Sequence, residues 1–246
     1  MPGPARIRRT SDVVRRPLGF WSPAVHQLLG YLQDAGFPAP RVVGTEDHDE
    51  LLSWIDGESG AHGWSRIVPE AGLRRWASFL RQYHDTVAGY RPPPGSVWSA
   101  GPARDQPEGA GEIVCHGDFG PWNGVWRGEQ IVGLIDFDHA GPASPLFDVA
   151  YALEYAAPFR DDEECVRWLR YGEPPDRRWR IEVFCDAYGI GVPAGVVERV
   201  AEQQRLVLQR CAALARRGIE PQATWVHDGY LDTVRARIRW TEALRL

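Results

Sequence analysis

The residues with the most chemistry in this sequence lie close together. His116-Gly117-Asp118 is followed by Asn123, and Asp136 and Asp138 stand at the end of the next apolar run. An Asp and an Asn this close on one loop can face the same point from two sides, and Gly120-Pro121 between them suits a sharp turn. The apolar stretches 124–126 and 131–135 flank Gly128-Glu129-Gln130 and read as a strand pair that returns the chain and brings Asp136 to the same place. Such a set suits phosphoryl transfer, which needs a carboxylate near the attacking hydroxyl and hard oxygen ligands for Mg2+ on nucleotide phosphates. On this reading Asp118 is the base, and Asn123 and Asp136 are the metal ligands. The competing reading is a polar β-turn with an incidental Asp and Asn.

Several elements must position these residues. A short strand is expected at 12–16. Ser22-Pro23 reads as an N-cap followed by proline at the first helical position; Val25, Leu28, Leu29 and Leu32 recur at helical spacing, and Gly36 fits the stop. Residues 41–45 and 51–55 read as a hairpin around the polar turn 46–50, and 57–60 as a flexible connection. After Pro69 a helix is expected to run to about Val87, with Leu73, Trp76, Ala77, Leu80, His84 and Val87 on one face; His84 there reads as a core histidine. A Pro/Gly-rich loop, 91–106, leads to a strand at 112–115. From Pro145 onward helices are expected near 145–157, 162–170, 177–188, 193–217 and 222–244. A few strands followed by helices, with a small strand pair embedded, predicts a two-lobed α+β protein.

The 246 residues, 43% hydrophobic and 25% charged, suffice for one large domain or two small lobes. The net charge of −5 argues against general nucleic-acid binding, and no apolar run is long enough to cross a bilayer. Cys115, Cys165, Cys185 and Cys211 are far apart, which predicts reduced, mostly buried thiols and a cytoplasmic setting. All 28 basic residues are arginine. A mechanism that needs lysine must find a substitute.

The motif H-G-D-x-x-x-x-N has the spacing of the protein-kinase H-R-D-x-x-x-x-N. With G-L-I-D-F-D and S-P-L-F-D-V-A-Y-A-L after it, the segment from Ile113 to Ala150 resembles the aminoglycoside phosphotransferase family. V-R-R-P, P-R-V-V-G, Tyr83-His84-Asp85 and F-C-D-A-Y-G resemble a poorly characterised actinobacterial branch of it. The resemblance implies a protein-kinase-like two-lobed fold. Here it has a truncated N-terminal lobe over 1–57, with the hinge near 52–57, and a mainly helical C-terminal lobe over 58–246. It implies an O-phosphotransferase that moves the γ-phosphate of ATP or GTP, with Mg2+, to a small-molecule hydroxyl.

Carried over residue by residue, the resemblance makes Asp118 catalytic and His116 the brace of its loop. Asn123 and Asp136 match the metal ligands, and Asp148 matches a structural Asp supporting the site. Asp138 stands as a third metal-site carboxylate or a solvated side chain. Ser53, Trp54 and Ile55 fall at the hinge, whose main chain would bond the purine. The family's strand lysine, which contacts phosphate and pairs with a helix glutamate, is missing. Arg15 or Arg16 sits where it would fall, as a phosphate-binding cation or an exposed basic edge, and His26 occupies the helix where the acid would be sought. Trp122 lines the acceptor pocket or packs. Tyr151 and Glu154 are candidates to face the substrate. Asp161, in Asp161-Asp162-Glu163-Glu164, receives a cationic substrate or caps a helix. Two alternatives remain: a kinase-like binding protein without phosphotransfer, which the missing lysine favours, and a kinase acting on peptide Ser or Thr in a biosynthetic pathway.

Overall fold

The computed structural model describes residues 7–99 and 111–246. The chain gathers into two compact units. Among the described residues, the first comprises 7–63, 82–99, 111–118 and 122–145; the second comprises Trp64–Arg81, Phe119–Pro121 and Leu146–Leu246.

The first unit is built on an antiparallel sheet of β1 (Arg8–Thr10), β2 (Val13–Pro17), β3 (Val42–Glu46) and β4 (Asp49–Ser53), in the order β1-β2-β4-β3. Helix α1 (Ser22–Asp34) buries Val25, Leu28, Leu29 and Leu32, the stripe its sequence spacing predicts. It ends at Gly36, whose φ of 73° is the left-handed stop. Ser22 is not the N-cap: it lies inside the helix, and its hydroxyl accepts from the Gly19 N–H. The β3–β4 turn is tighter than the sequence suggests. Glu46 pairs with Asp49, so Asp49 and Glu50 belong to the strand despite their polarity. The stretch 57–60 is held rather than flexible. Glu58 exchanges both main-chain hydrogen bonds with Trp126, each 2.8 Å, and a Cβ on Gly57 would lie 2.7 Å from the Trp126 carbonyl oxygen.

The rest of this unit carries β5 (Ile113–Cys115), β6 (Gly124–Arg127), β7 (Gln130–Leu134) and β8 (Gly141–Ala143), paired as β5–β8 and β6–β7. Helices α2 (His62–Ile67) and α3 (Glu70–Val87) precede them in sequence. Tyr83, at the α3 end that belongs to this unit, donates its hydroxyl to the Val114 carbonyl at 2.9 Å.

The second unit is helical, with α4 (Pro145–Ala156), α5 (Asp162–Trp168), α6 (Arg177–Tyr188), α7 (Val196–Arg216), α8 (Gln222–His227) and α9 (Tyr230–Ala243). The predicted helix at 222–244 is two, broken at Gly229, whose φ is 85°. Trp76 and Phe119 stack with ring centroids 4.2 Å apart in the core. Arg180, also buried, donates to the carbonyls of Ile67, Val68 and Ala156 at 2.7, 2.8 and 2.6 Å. The four cysteines are free and buried. No helix among the described residues is long and apolar enough to cross a membrane.

Candidate active site

Strand pairing assembles the site in the first unit. β5 ends at Cys115 opposite Gly141, and the loop 116–123 then leads into the β6–β7 hairpin. Gly124 faces Leu134, and the Ile135 N–H donates to the Asn123 carbonyl at 2.9 Å, so Asn123 and Asp136 leave the hairpin side by side. His116 is fully buried and ties the loop to this hairpin: Nε2–H donates to the Ile135 carbonyl at 3.1 Å while Nδ1 accepts from the Asp118 N–H at 3.3 Å. These partners fix one neutral tautomer. Asn123 donates its amide to both the main-chain oxygen and Oδ2 of Asp118, each at 2.9 Å. Its Oδ1 is then the atom it can offer a cation. Asp136 adopts φ 65°, ψ 66°, the left-handed region that a non-glycine residue enters at a cost.

Arg16 selects itself over Arg15 by strand phase. Neighbours on a strand point to opposite faces. Arg15 turns to Asp49 and Glu46, with Nε 2.5 Å from Asp49 and Nη1 2.9 Å from Glu46, and is partly exposed. Arg16 lies directly across from Glu50 in the β2–β4 register. Its Nε meets Glu50 Oε1 at 2.5 Å, Nη1 meets Asp136 at 3.2 Å and Nη2 meets Asp138 at 2.5 Å. The other Glu50 oxygen is bonded to His26 Nε2 from α1. Burial opposes the Arg16 charge, but Asp138, Asp136 and Glu50 outweigh it and hold the guanidinium protonated. Burial alone would raise the Glu50 carboxyl, yet its His26 hydrogen bond and Arg16 leave it below the usual value. Asp138 goes the other way: burial first, then the Asp136 charge, push it up to about 6. Asp138 is therefore neither simply solvated nor remote from the cation.

A cavity of about 190 Å3 opens on the same sheet face. Its walls include Val14, Val25, Leu52 and Val125, and its lining also holds Ser53, Trp54, Ile55, Arg16 and Asp136. Ile55 lies against Gly133, where a Cβ would come within 2.7 Å of its Cδ1. The Ser53 N–H is already given to the Arg41 carbonyl at 2.8 Å and that of Trp54 to the Asp12 carbonyl at 2.7 Å. A purine at this edge cannot use those two donors.

Residues 96–182 match the phosphotransferase enzyme family. Over 193 residues the chain is 36% identical to the trifolitoxin immunity protein of Rhizobium leguminosarum bv. trifolii, covering 76% of this chain and 72% of that one. The chain belongs to the phosphotransferase enzyme family. It is accordingly a phosphotransferase. The fold agrees. Aminoglycoside phosphotransferase APH(3'')-Id from Streptomyces rimosus, in complex with ADP and streptomycin, superposes with a TM-score of 0.56 at 17% identity, over 83% of this chain and 94% of that one. Amicoumacin kinase hAmiN, in complex with AMP-PNP and Ca2+, gives 0.60 at 10% identity, over 95% and 87%.

The remaining candidates of this phosphotransferase are placed as follows. Trp122 lies in the first unit, in a single helical turn, and its carbonyl accepts from the Gly60 N–H at 2.8 Å. Asp148 is fully buried in the first turn of α4, in the second unit. Tyr151 and Glu154 are also buried in α4 and present no side chain to solvent. Arg160 and Arg237 lie 3.8 and 3.7 Å from Glu154, which burial pushes up against their pull. Asp161 is the N-cap of α5 and accepts from the Glu164 N–H at 2.8 Å. Glu50 is the site residue that sequence reasoning missed. Its one signal was the period-two pairing of Glu50 with Leu52 on the strand's inner face.

Proposed function

We propose that this phosphotransferase transfers the γ-phosphate of Mg·ATP or Mg·GTP to a hydroxyl of a small molecule. One observation carries the reading: Arg16 and Asp136 line the same cavity as Ser53–Ile55, and the β6–β7 hairpin joins Asp136 to the loop where Asn123 locks Asp118. The base enters the apolar cavity and meets the main chain around Ile55. Arg16 turns its Nη edge to the phosphates, a charge-assisted contact that a lysine would make with a single nitrogen. The Asn123 amide oxygen and the Asp136 carboxylate suit Mg2+, a hard ion that takes oxygen ligands. When bound, the ion neutralises charge on the phosphates. Asp118 takes the proton of the acceptor hydroxyl, its carboxylate oriented by Asn123 and its loop braced by His116. Catalysis is mostly positioning plus electrostatics. Arg16 answers the missing lysine, the main support for a binding protein without phosphotransfer. Free buried thiols and use of cellular nucleotide support a cytoplasmic setting.

The relative is named for immunity to a toxin, and one structural neighbour holds streptomycin. Both support an acceptor that is itself a toxin or antibiotic, inactivated by phosphorylation. The test is transfer of label from γ-labelled ATP and GTP to a panel of hydroxylated antibiotics. Label should reach an acceptor hydroxyl with the wild type and not with Asp118→Asn. Bound nucleotide with label that moves to no acceptor and no water would favour the binding-protein reading.

A further inference from the structure

We propose that Glu50 and His26 are positioning residues for Arg16, so that the acid holding the phosphate-binding cation comes from strand β4 and helix α1 contributes a histidine that holds the acid. This rests on the nucleotide reading above and assigns how its cation is aimed. The guanidinium divides its work by edge. Nε is given to Glu50 at 2.5 Å, and Nη1 and Nη2 face Asp136 and Asp138. Glu50 is the buried member of the three acids, its side chain 1% exposed, against 47% for Asp136 and 28% for Asp138. A buried carboxylate needs its oxygens satisfied. Here Arg16 takes one, and His26 takes the other.

The consequence is a pivot. When phosphate arrives, the contacts that can change are those of the Nη edge, which faces the two less buried acids. The Nε contact is cross-strand, fixed by the β2–β4 register, and backed by α1 through His26. A lysine would make both contacts from a single nitrogen, whereas the arginine gives Nε to Glu50 and keeps a separate Nη edge for phosphate. This gives the arginine a structural reason beyond the lysine-free composition of the chain.

The test compares a ligand with phosphates against one without. Calorimetry with Mg·ATP and Mg·GTP, and with adenosine and guanosine, is run on wild type, Glu50→Gln, His26→Ala, His26→Gln and Arg16→Lys, each checked for a cooperative melt. Glu50→Gln and Arg16→Lys should weaken the preferred Mg·triphosphate at least tenfold and leave its nucleoside within twofold. His26→Ala should weaken the triphosphate about fivefold, and His26→Gln, whose amide can still donate to Glu50, should recover most of that. Should Glu50→Gln fail to fold, the His26 pair carries the same test. Equal losses for triphosphate and nucleoside would make Glu50 a support of the pocket only and overturn the assignment. So would triphosphate affinity within twofold of wild type in Glu50→Gln. A wild type that binds nucleoside but no triphosphate overturns the role of Arg16 itself; one that binds neither overturns the nucleotide reading and this one with it.

Discussion

Asp138→Asn should make the protein more stable at pH 8, although it removes a partner of Arg16. The Asp138 carboxyl ordinarily titrates near 3.8, and in the fold it is pushed up to about 6 by burial and by Asp136. Between those values the folded state binds more protons than the unfolded state, so stability falls as pH rises through the folded value. Roughly two pH units at about 1.4 kcal/mol each give about 3 kcal/mol lost above pH 6. The side chain is 28% exposed, so little discount for solvent screening applies. Asparagine keeps an oxygen for Arg16 Nη2, and the Arg16 attraction is already contained in the shifted value; the extra amide hydrogen, standing where the protonated carboxyl has none, costs about 1 kcal/mol. The net expectation is a gain of about 2 kcal/mol at pH 8, or roughly 4–8 °C in melting temperature for a chain of this size. At pH 4.5 the wild-type carboxyl is mostly protonated when folded, so the advantage should vanish or reverse. Paired melts of wild type and variant at the two pH values, without divalent metal, measure this. A variant less stable than wild type at pH 8, or a difference that does not move with pH, would refute the reasoning and leave the Arg16 ion pair dominant.

The other expectations concern the two arginine roles and the base. Arg15→Ala should leave Mg·nucleotide affinity within twofold, because Arg15 serves Asp49 and Glu46 on the far face of β2; a tenfold loss by calorimetry would contradict the strand-phase assignment. Arg180→Met should lower stability by about 3 kcal/mol or more, since three carbonyls lose their donor inside the second unit. A melting temperature within 2 °C of wild type, on a scale of about 2–4 °C per kcal/mol, would show that water replaces it. Asp118→Asn should cut acceptor phosphorylation by about 10²–10⁴-fold, the usual worth of a general base, while nucleotide affinity stays near wild type. A rate loss below tenfold would remove the base role.

The candidate loop 116–123 stood out in the sequence because phosphoryl transfer would demand both residue type and spacing. Asp118, Asn123 and Asp136 are separated by a turn and a hairpin that the apolar runs announce. Helices α1 and α3 were legible from their buried stripes, and α1 also from the glycine that stops it. What the sequence hid depends on partners far along the chain. β1 is three exposed polar residues, a strand only because β2 pairs with it. β8 is Gly-Pro-Ala, a strand only because β5 lies opposite. α2 is six residues and too short to show a period. Glu50 looked like turn polarity until β2 set Arg16 across from it. The same register turns Arg16 toward Glu50, Asp136 and Asp138 and Arg15 away from them, a difference that sequence alone did not show.

The most direct measurement is calorimetric titration of ATP and GTP into wild type and Asp136→Ala, with and without Mg2+. Wild type should bind at least one triphosphate more tightly with Mg2+ than without, and Asp136→Ala should lose that increment while keeping the metal-free affinity. Mg2+-enhanced binding that survives Asp136→Ala unchanged, or a wild type indifferent to both nucleotides, would contradict a phosphoryl-transfer site built on Asp118, Asn123 and Asp136.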